Sequence, residues 1–114
     1  MNVTDRRAPC EVVKQTLALI GEKWSVLALS ELRDGPVRFN ELRRTLAPIT
    51  QRMLSASLRN LEAGGLITRT VRPTVPPQVE YAATPAGHDL LDILNQVATW
   101  AELHHGRVPA DRNM

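Results

Sequence analysis

Between residues 40 and 84 the apolar spacing of this chain changes period once, and that change limits the folds open to it more than any other feature. Up to Ala63 the leucines recur at helical intervals, first Leu42 and Leu46, then Leu54, Leu58 and Leu61. That spacing stacks side chains on one face of an α-helix. Gly64 and Gly65 follow, and a helix ends most readily on a left-handed residue of this kind. From Leu66 to Arg72 the pattern becomes β-branched and roughly alternating, and Val79–Thr84 reads as its partner strand. The intervening Pro73-Thr74-Val75-Pro76-Pro77-Gln78 has the proline content of a projecting hairpin loop. Thr84-Pro85 then caps and starts another helix, on which Leu90, Leu91, Leu94, Val97 and Ala101 lead towards His104.

The same reading extends upstream. Residues 11–21 carry Val13, Leu17 and Ile20 at helical spacing and close on Gly21. Trp24–Leu32 forms a shorter helix that is apolar on most sides, as a helix central to a core or covered by a partner must be. Asp34-Gly35-Pro36 breaks it. Asn40 is a good N-cap for a third helix over 40–47, with Glu41 favoured in its first turn. Ala47-Pro48-Ile49 makes a tight connection, and Thr50 caps a fourth helix running to about Ala63. Helix, helix, helix, helix, hairpin, helix is the order of a winged helix-turn-helix, mainly α with a small β-hairpin and an additional C-terminal helix. A chain of 114 residues has room for one core. The expected organisation is therefore a single domain over 1–114, with a flexible arm at 1–9 and a flexible tail at 106–114.

Composition narrows the setting. The chain is 43% hydrophobic and 23% charged, ordinary for a folded soluble protein and too apolar for disorder. Its one cysteine, Cys10, leaves no intramolecular disulfide and suits a reducing cytoplasm. The longest aliphatic stretches, such as Leu17-Ala18-Leu19-Ile20, fall far short of the roughly 20 residues of a membrane span. No apolar signal core follows Met1.

Charge is distributed unevenly. The net charge is +2, yet residues 1–32 sum to zero, 33–72 to +5 and 73–114 to −3. The middle segment holds eight arginines against Asp34, Glu41 and Glu62. A run of charge is often only a solvated face, but a planar guanidinium forks onto a phosphate or a guanine edge as an ammonium does not. On the fourth helix the apolar stripe fixes the opposite face by spacing, and that face holds Gln51, Arg52, Ser55, Ala56 and Arg59. In a helix-turn-helix the N-terminal half of the second helix enters the major groove. Gln and Arg there can make two-point contacts with adenine and guanine. Arg43 and Arg44 on the preceding helix, and Arg69 and Arg72 at the base of the hairpin, flank this face as phosphate clamps would. Arg38, Asn40, Thr50 and Gln78 complete the candidate set for double-stranded DNA.

At this point the residues carry a resemblance. Gly21-Glu22-Lys23-Trp24, Asp34-Gly35-Pro36-Val37-Arg38-Phe39-Asn40-Glu41-Leu42-Arg43 and Ile49-Thr50-Gln51-Arg52-Met53-Leu54 resemble the HxlR-type family of bacterial winged-helix transcriptional regulators. So do Leu58-Arg59-Asn60-Leu61-Glu62-Ala63-Gly64-Gly65-Leu66-Ile67 and Val75-Pro76-Pro77-Gln78-Val79-Glu80-Tyr81, followed by Thr84-Pro85-Ala86-Gly87. The resemblance implies a homodimer built through the first and last helices, on a partly palindromic operator near a neighbouring gene. It places Thr50, Gln51, Arg52, Ser55 and Arg59 at the groove and makes Pro73–Gln78 the wing. The chain departs from the family pattern at Gln78, where a basic residue is common. It departs again at Glu22, which replaces a common glycine and adds helix propensity. The dimer has independent support, because Leu90, Leu91, Ile93, Leu94, Val97 and Trp100 give the 85–105 helix more apolar width than one side of a small domain can cover. An alternative is a winged-helix interaction module without DNA binding, which would have no reason to keep the +5 segment.

Cys10 precedes the first helix with Arg6, Arg7 and Lys14 nearby in sequence, and helix N-terminal amides with positive neighbours favour a thiolate. It reads either as an inert, partly buried cysteine or as a sensor thiol for an oxidant or small electrophile. The resemblance keeps the sensor reading open beside the inert one, since several HxlR-type regulators use a near-N-terminal cysteine in this way. His88, Asp89 and His104-His105 have no metal-ligand spacing. Tyr81 and Phe39 read as core or strand residues. With no glycine-rich phosphate loop and no Ser/His/Asp set, an enzyme is not expected, nor a metal or organic cofactor.

Overall fold

The computed structural model describes residues 10–104. The arm at 1–9, the tail at 106–114 and His105 lie outside the described residues. In chain order the elements are α1 (Glu11–Ile20), α2 (Lys23–Glu31), β1 (Val37–Arg38), α3 (Phe39–Thr45), α4 (Gln51–Ala63), β2 (Ile67–Arg72), β3 (Gln78–Ala83) and α5 (Pro85–Leu103).

Local chemistry sets most of the boundaries. Thr50 Oγ1 accepts the Met53 N–H at 3.1 Å and starts α4. Gly65 takes φ +76° just beyond α4, a conformation a Cβ would penalise. Thr84 Oγ1 accepts the Gly87 N–H at 3.1 Å to cap α5, with Pro85 at its first position, and donates to the Gly65 carbonyl at 2.7 Å. That hydroxyl therefore joins the end of α4 to the start of α5. Gly87 lets α5 pack tightly there, since a Cβ on it would run into the Leu66 carbonyl oxygen.

The core is one apolar cluster. Leu54, Leu58 and Leu61 of α4 meet Ala28, Leu29 and Leu32 from α2 and its end, Leu42, Leu46 and Ile49 around α3, Ile67 and Tyr81 of the sheet, and Leu91 of α5. Helix α2 lies at the centre, packed on α1, α4 and α5. Its apolar breadth is thus mostly satisfied within the chain, although Leu27 stays exposed. Helix α1 buries no residue. At α5, Leu91 is buried and Leu90 and Leu94 half-buried, but from Asn95 to Leu103 only Ala101 is even half-covered.

Three expectations need correction. The hairpin has a third strand, with order β1-β3-β2. Val37 pairs with Tyr81 and Arg38 with Glu80 along the outer edge of β3; a two-residue strand is too short to show a period. Asn40 is not an N-cap, because α3 starts at Phe39 with the extended Arg38 in the cap position and no side-chain cap bond. Pairing with β3 holds Arg38 extended and so moves the helix start forward. Glu22 does not lie within a helix to raise its propensity. It is the N-cap of α2, its carboxylate accepting the Trp24 and Ser25 amides.

Candidate nucleic-acid interface

The hairpin register builds one side of the interface. Ile67 pairs with Ala83 and Arg72 with Gln78 across β2 and β3, so the Pro73–Pro77 loop projects beyond the sheet. Helix α4 supplies the opposite side. Because Leu54, Leu58 and Leu61 face inward, Gln51, Arg52 and Arg59 are exposed and Ser55 is half-exposed. Helix α3 closes the third side.

These elements enclose an open hollow. Arg38, Asn40, Arg44, Gln51, Ser55 and Gln78 line it, together with Phe39, Glu41, Pro76, Pro77, Val79 and Tyr81. Six of the twelve candidates for DNA contact thus share one concavity although they come from four segments of the chain. A second hollow adjoins it through Ser55 and Tyr81 and holds Arg59 and Arg69 with Glu62. A third shares Asn40 and Arg44, and adds Arg43 beside Ala47, Pro48 and Ile49. Arginines therefore rim a continuous, mostly polar surface, opposed there by Glu41 and Glu62. Such a surface can hold phosphates along its edges while small Ser55 allows close approach at its centre.

The remaining candidates stand apart from these hollows. Arg52 is exposed on the first turn of α4. Thr50 uses its oxygen lone pairs for the cap and keeps its hydroxyl proton. Arg72, expected at the base of the hairpin, lies instead at its loop end because the register pairs it with Gln78, and it is engaged there: its Nη2 donates to Glu80 Oε1 at 3.0 Å. Glu80 lies opposite Thr70 on β2 and opposite Arg38 on β1 in the strand register, and among the described residues its carboxylate is paired with Arg72 alone. Tyr81, expected as a core or strand residue, is buried as such and also forms the shared floor of two hollows.

The residues that sequence reasoning missed lie behind α4. Glu22 also accepts the hydroxyls of Ser25 and Ser57, each at 2.9 Å. Partial burial pushes the Glu22 pKa up, but those hydroxyls and the Trp24 and Ser25 amides together outweigh it and hold the carboxyl below the usual glutamate range. One signal was legible: Ser57 falls on the leucine stripe of α4, and a polar group in an apolar stripe requires a partner.

A profile described as HxlR-like helix-turn-helix matches residues 19–108. The chain belongs to that family. It is 47% identical over 85 residues to an uncharacterized HTH-type transcriptional regulator of Methanothermobacter thermautotrophicus, a match spanning 75% of this chain and 65% of that relative, just under two thirds of its length. The reduced form of the transcriptional regulator YodB from B. subtilis superposes with a TM-score of 0.75 at 33% identity, covering 83% of this chain and 93% of the other. The redox regulator HypR in its reduced form gives 0.73 at 44% identity, covering 83% and 94%. This HxlR-like chain is thus of the helix-turn-helix regulator class, and its winged-helix architecture matches theirs.

Proposed function

We propose that this HxlR-like protein is a sequence-specific regulator that binds double-stranded DNA as a homodimer in the cytoplasm. The observation that carries the reading is the hollow whose lining brings together Gln51 and Ser55 of α4, Arg44 of α3 and Gln78 of the wing. In this reading α4 enters the major groove with Gln51, Arg52 and Ser55 at base edges, and Arg59 further along its face. Arg38, Asn40, Arg43, Arg44 and Arg69 hold the backbone, as does the wing with Gln78, while Thr50 stands at the groove as the cap of α4 and Arg72 is held back by Glu80. Its deciding experiment is a titration of the intergenic duplex upstream of the protein's own gene across a salt series. The logarithm of the binding constant should fall linearly with the logarithm of salt, by about 0.9 for each phosphate contacted. A flat response would leave an interaction module without DNA binding as the better account.

The unpartnered half of α5 supports the homodimer. Ile93, Val97 and Trp100 are 52%, 55% and 57% exposed and recur at helical spacing, with Leu103 at 77% beyond them. Ile93, Gln96, Val97 and Trp100 line one shallow apolar depression. A helix end with so little cover in its own chain gains stability from a second copy. A two-fold axis would set the two α4 helices about 34–36 Å apart, one turn of DNA.

The wing makes its own prediction. Glu80 neutralises Arg72, so Glu80→Gln should release that guanidinium to phosphate. The variant should bind any duplex severalfold more tightly, with a salt slope steeper by about 0.9 per subunit. Thermal stability should change little, since an exposed pair contributes roughly 0–1 kcal/mol. Unchanged affinity and slope in the variant would show that the released Arg72 reaches no phosphate.

Cys10 supports a redox or electrophile response. It is half-covered at the N-cap of α1, with no side-chain cap bond, on a helix that buries nothing of its own. With a single cysteine per chain, any disulfide joins two chains or a small thiol. Cys10→Ser should leave DNA affinity intact and abolish release of DNA by diamide or a quinone in a mobility-shift assay. Equal release from the variant would assign the response elsewhere. Among the described residues no helix is long and apolar enough to cross a membrane, and no cluster of three or more His, Cys, Asp or Glu could hold a metal ion.

A further inference from the structure

The elbow between α1 and α2 is tied to the middle of α4 by one carboxylate. Glu22 Oε1 accepts the Ser25 amide, the Ser25 hydroxyl and the Ser57 hydroxyl, each at 2.9 Å, and Oε2 accepts the Trp24 amide at 3.2 Å. Ser25 and Ser57 are the buried polar side chains of the described residues, and both donate to this one group. Three of the four donors are local and cap α2. The Ser57 bond spans 35 residues of sequence and does nothing for the cap.

Its position on α4 gives that bond a separate consequence. Ser57 lies two residues after Ser55 and two before Arg59, so it projects from roughly the opposite side of the helix. The rest of the buried side of α4 is leucine, whose contacts are non-directional and allow a helix to roll by several degrees at small cost. A hydrogen bond to a charged group is strong and directional. Glu22 also follows Gly21, the C-cap of α1, so the bond references α4 to the α1–α2 elbow.

We propose that Glu22 is a positioning residue for DNA reading, its bond to Ser57 fixing the rotation of α4 and so the angle at which Gln51, Arg52 and Ser55 meet base edges. The inference rests on the DNA-binding reading above. Base contacts tolerate only about half an ångström of misplacement, whereas long arginines follow a phosphate across a small roll. Loss of the bond therefore reduces selectivity and leaves general affinity nearly unchanged.

Two substitutions isolate the bond from the cap. Ser57→Ala removes it and leaves the α2 cap whole. Glu22→Ser keeps a good N-cap residue that is too short to reach α4. Wild-type protein is first used to select a duplex from a random library, and all variants are then titrated with that duplex and with an unselected one of equal length. Each single variant should lose about tenfold on the selected duplex, the size of one lost base contact, and little on the unselected one. The double variant should lose no more than the larger single loss, because the two residues share one bond. A fall in melting temperature with an unchanged selected-to-unselected ratio would make Glu22 a purely structural cap and overturn the proposal. Failure of the wild type to select any sequence would overturn the DNA-binding reading itself.

Discussion

Val97→Asp should convert the protein to a monomer and weaken its hold on a two-half-site operator by about a hundredfold or more, the order of the avidity gained by linking two binding events. Val97 occupies the middle of the exposed Ile93, Val97, Trp100 stripe, so a carboxylate there would be buried in an apolar interface with no partner to neutralise it. The same position is more than half exposed within the chain, so the isolated subunit keeps its core, in which Leu91 is the α5 contribution. Sedimentation velocity with the wild type and the variant reads the assembly state directly. A duplex carrying one half-site supplies the control, since its affinity should be nearly equal for the two proteins. A variant that remains dimeric, or a monomer that keeps full operator affinity, would remove α5 from the interface or the dimer from the mechanism.

Arg52→Ala and Arg44→Ala should separate reading from clamping. Arg52 stands exposed on the first turn of α4, the part of a recognition helix that meets base edges. Its loss should cost about 1–3 kcal/mol per half-site on the selected operator and relax base preference at one position, with little change on random duplex. Arg44 rims two of the three hollows from α3. Its loss should weaken all sequences about equally and reduce the salt slope by about one per subunit. Binding measured on selected and random duplexes at several salt concentrations distinguishes the two patterns. Identical behaviour of both variants on both duplexes would show that α4 is not the reading helix.

Much of this arrangement is legible in the sequence. The Leu54, Leu58, Leu61 stripe predicted which side of α4 is buried and therefore which residues are exposed opposite it. Thr50, Thr84 and the Gly64-Gly65 pair marked helix ends because capping is a matter of two to four adjacent residues. The excess apolar width of the last helix was equally visible, and its outer half is indeed uncovered in the chain.

Other features were out of reach of local patterns. Strand β1 exists because β3 has a free edge for Val37 and Arg38 to pair with, and that pairing displaced the helix start from Asn40 to Phe39. Arg72 looked like an available phosphate clamp until the hairpin register brought Glu80 beside it. Glu22 looked like a gain in helix propensity until the docking of α2 on α4 brought it to Ser57. The sequence by itself determined the helices, the hairpin, the Thr50 and Thr84 caps and the face of α4 that meets solvent, because each depends on spacing and conformational preference within a few residues. Only the tertiary structure decided which charges are free, which are paired and what holds α4 in place, because a hydrogen bond or ion pair depends on separations of a few tenths of an ångström between segments far apart in the chain.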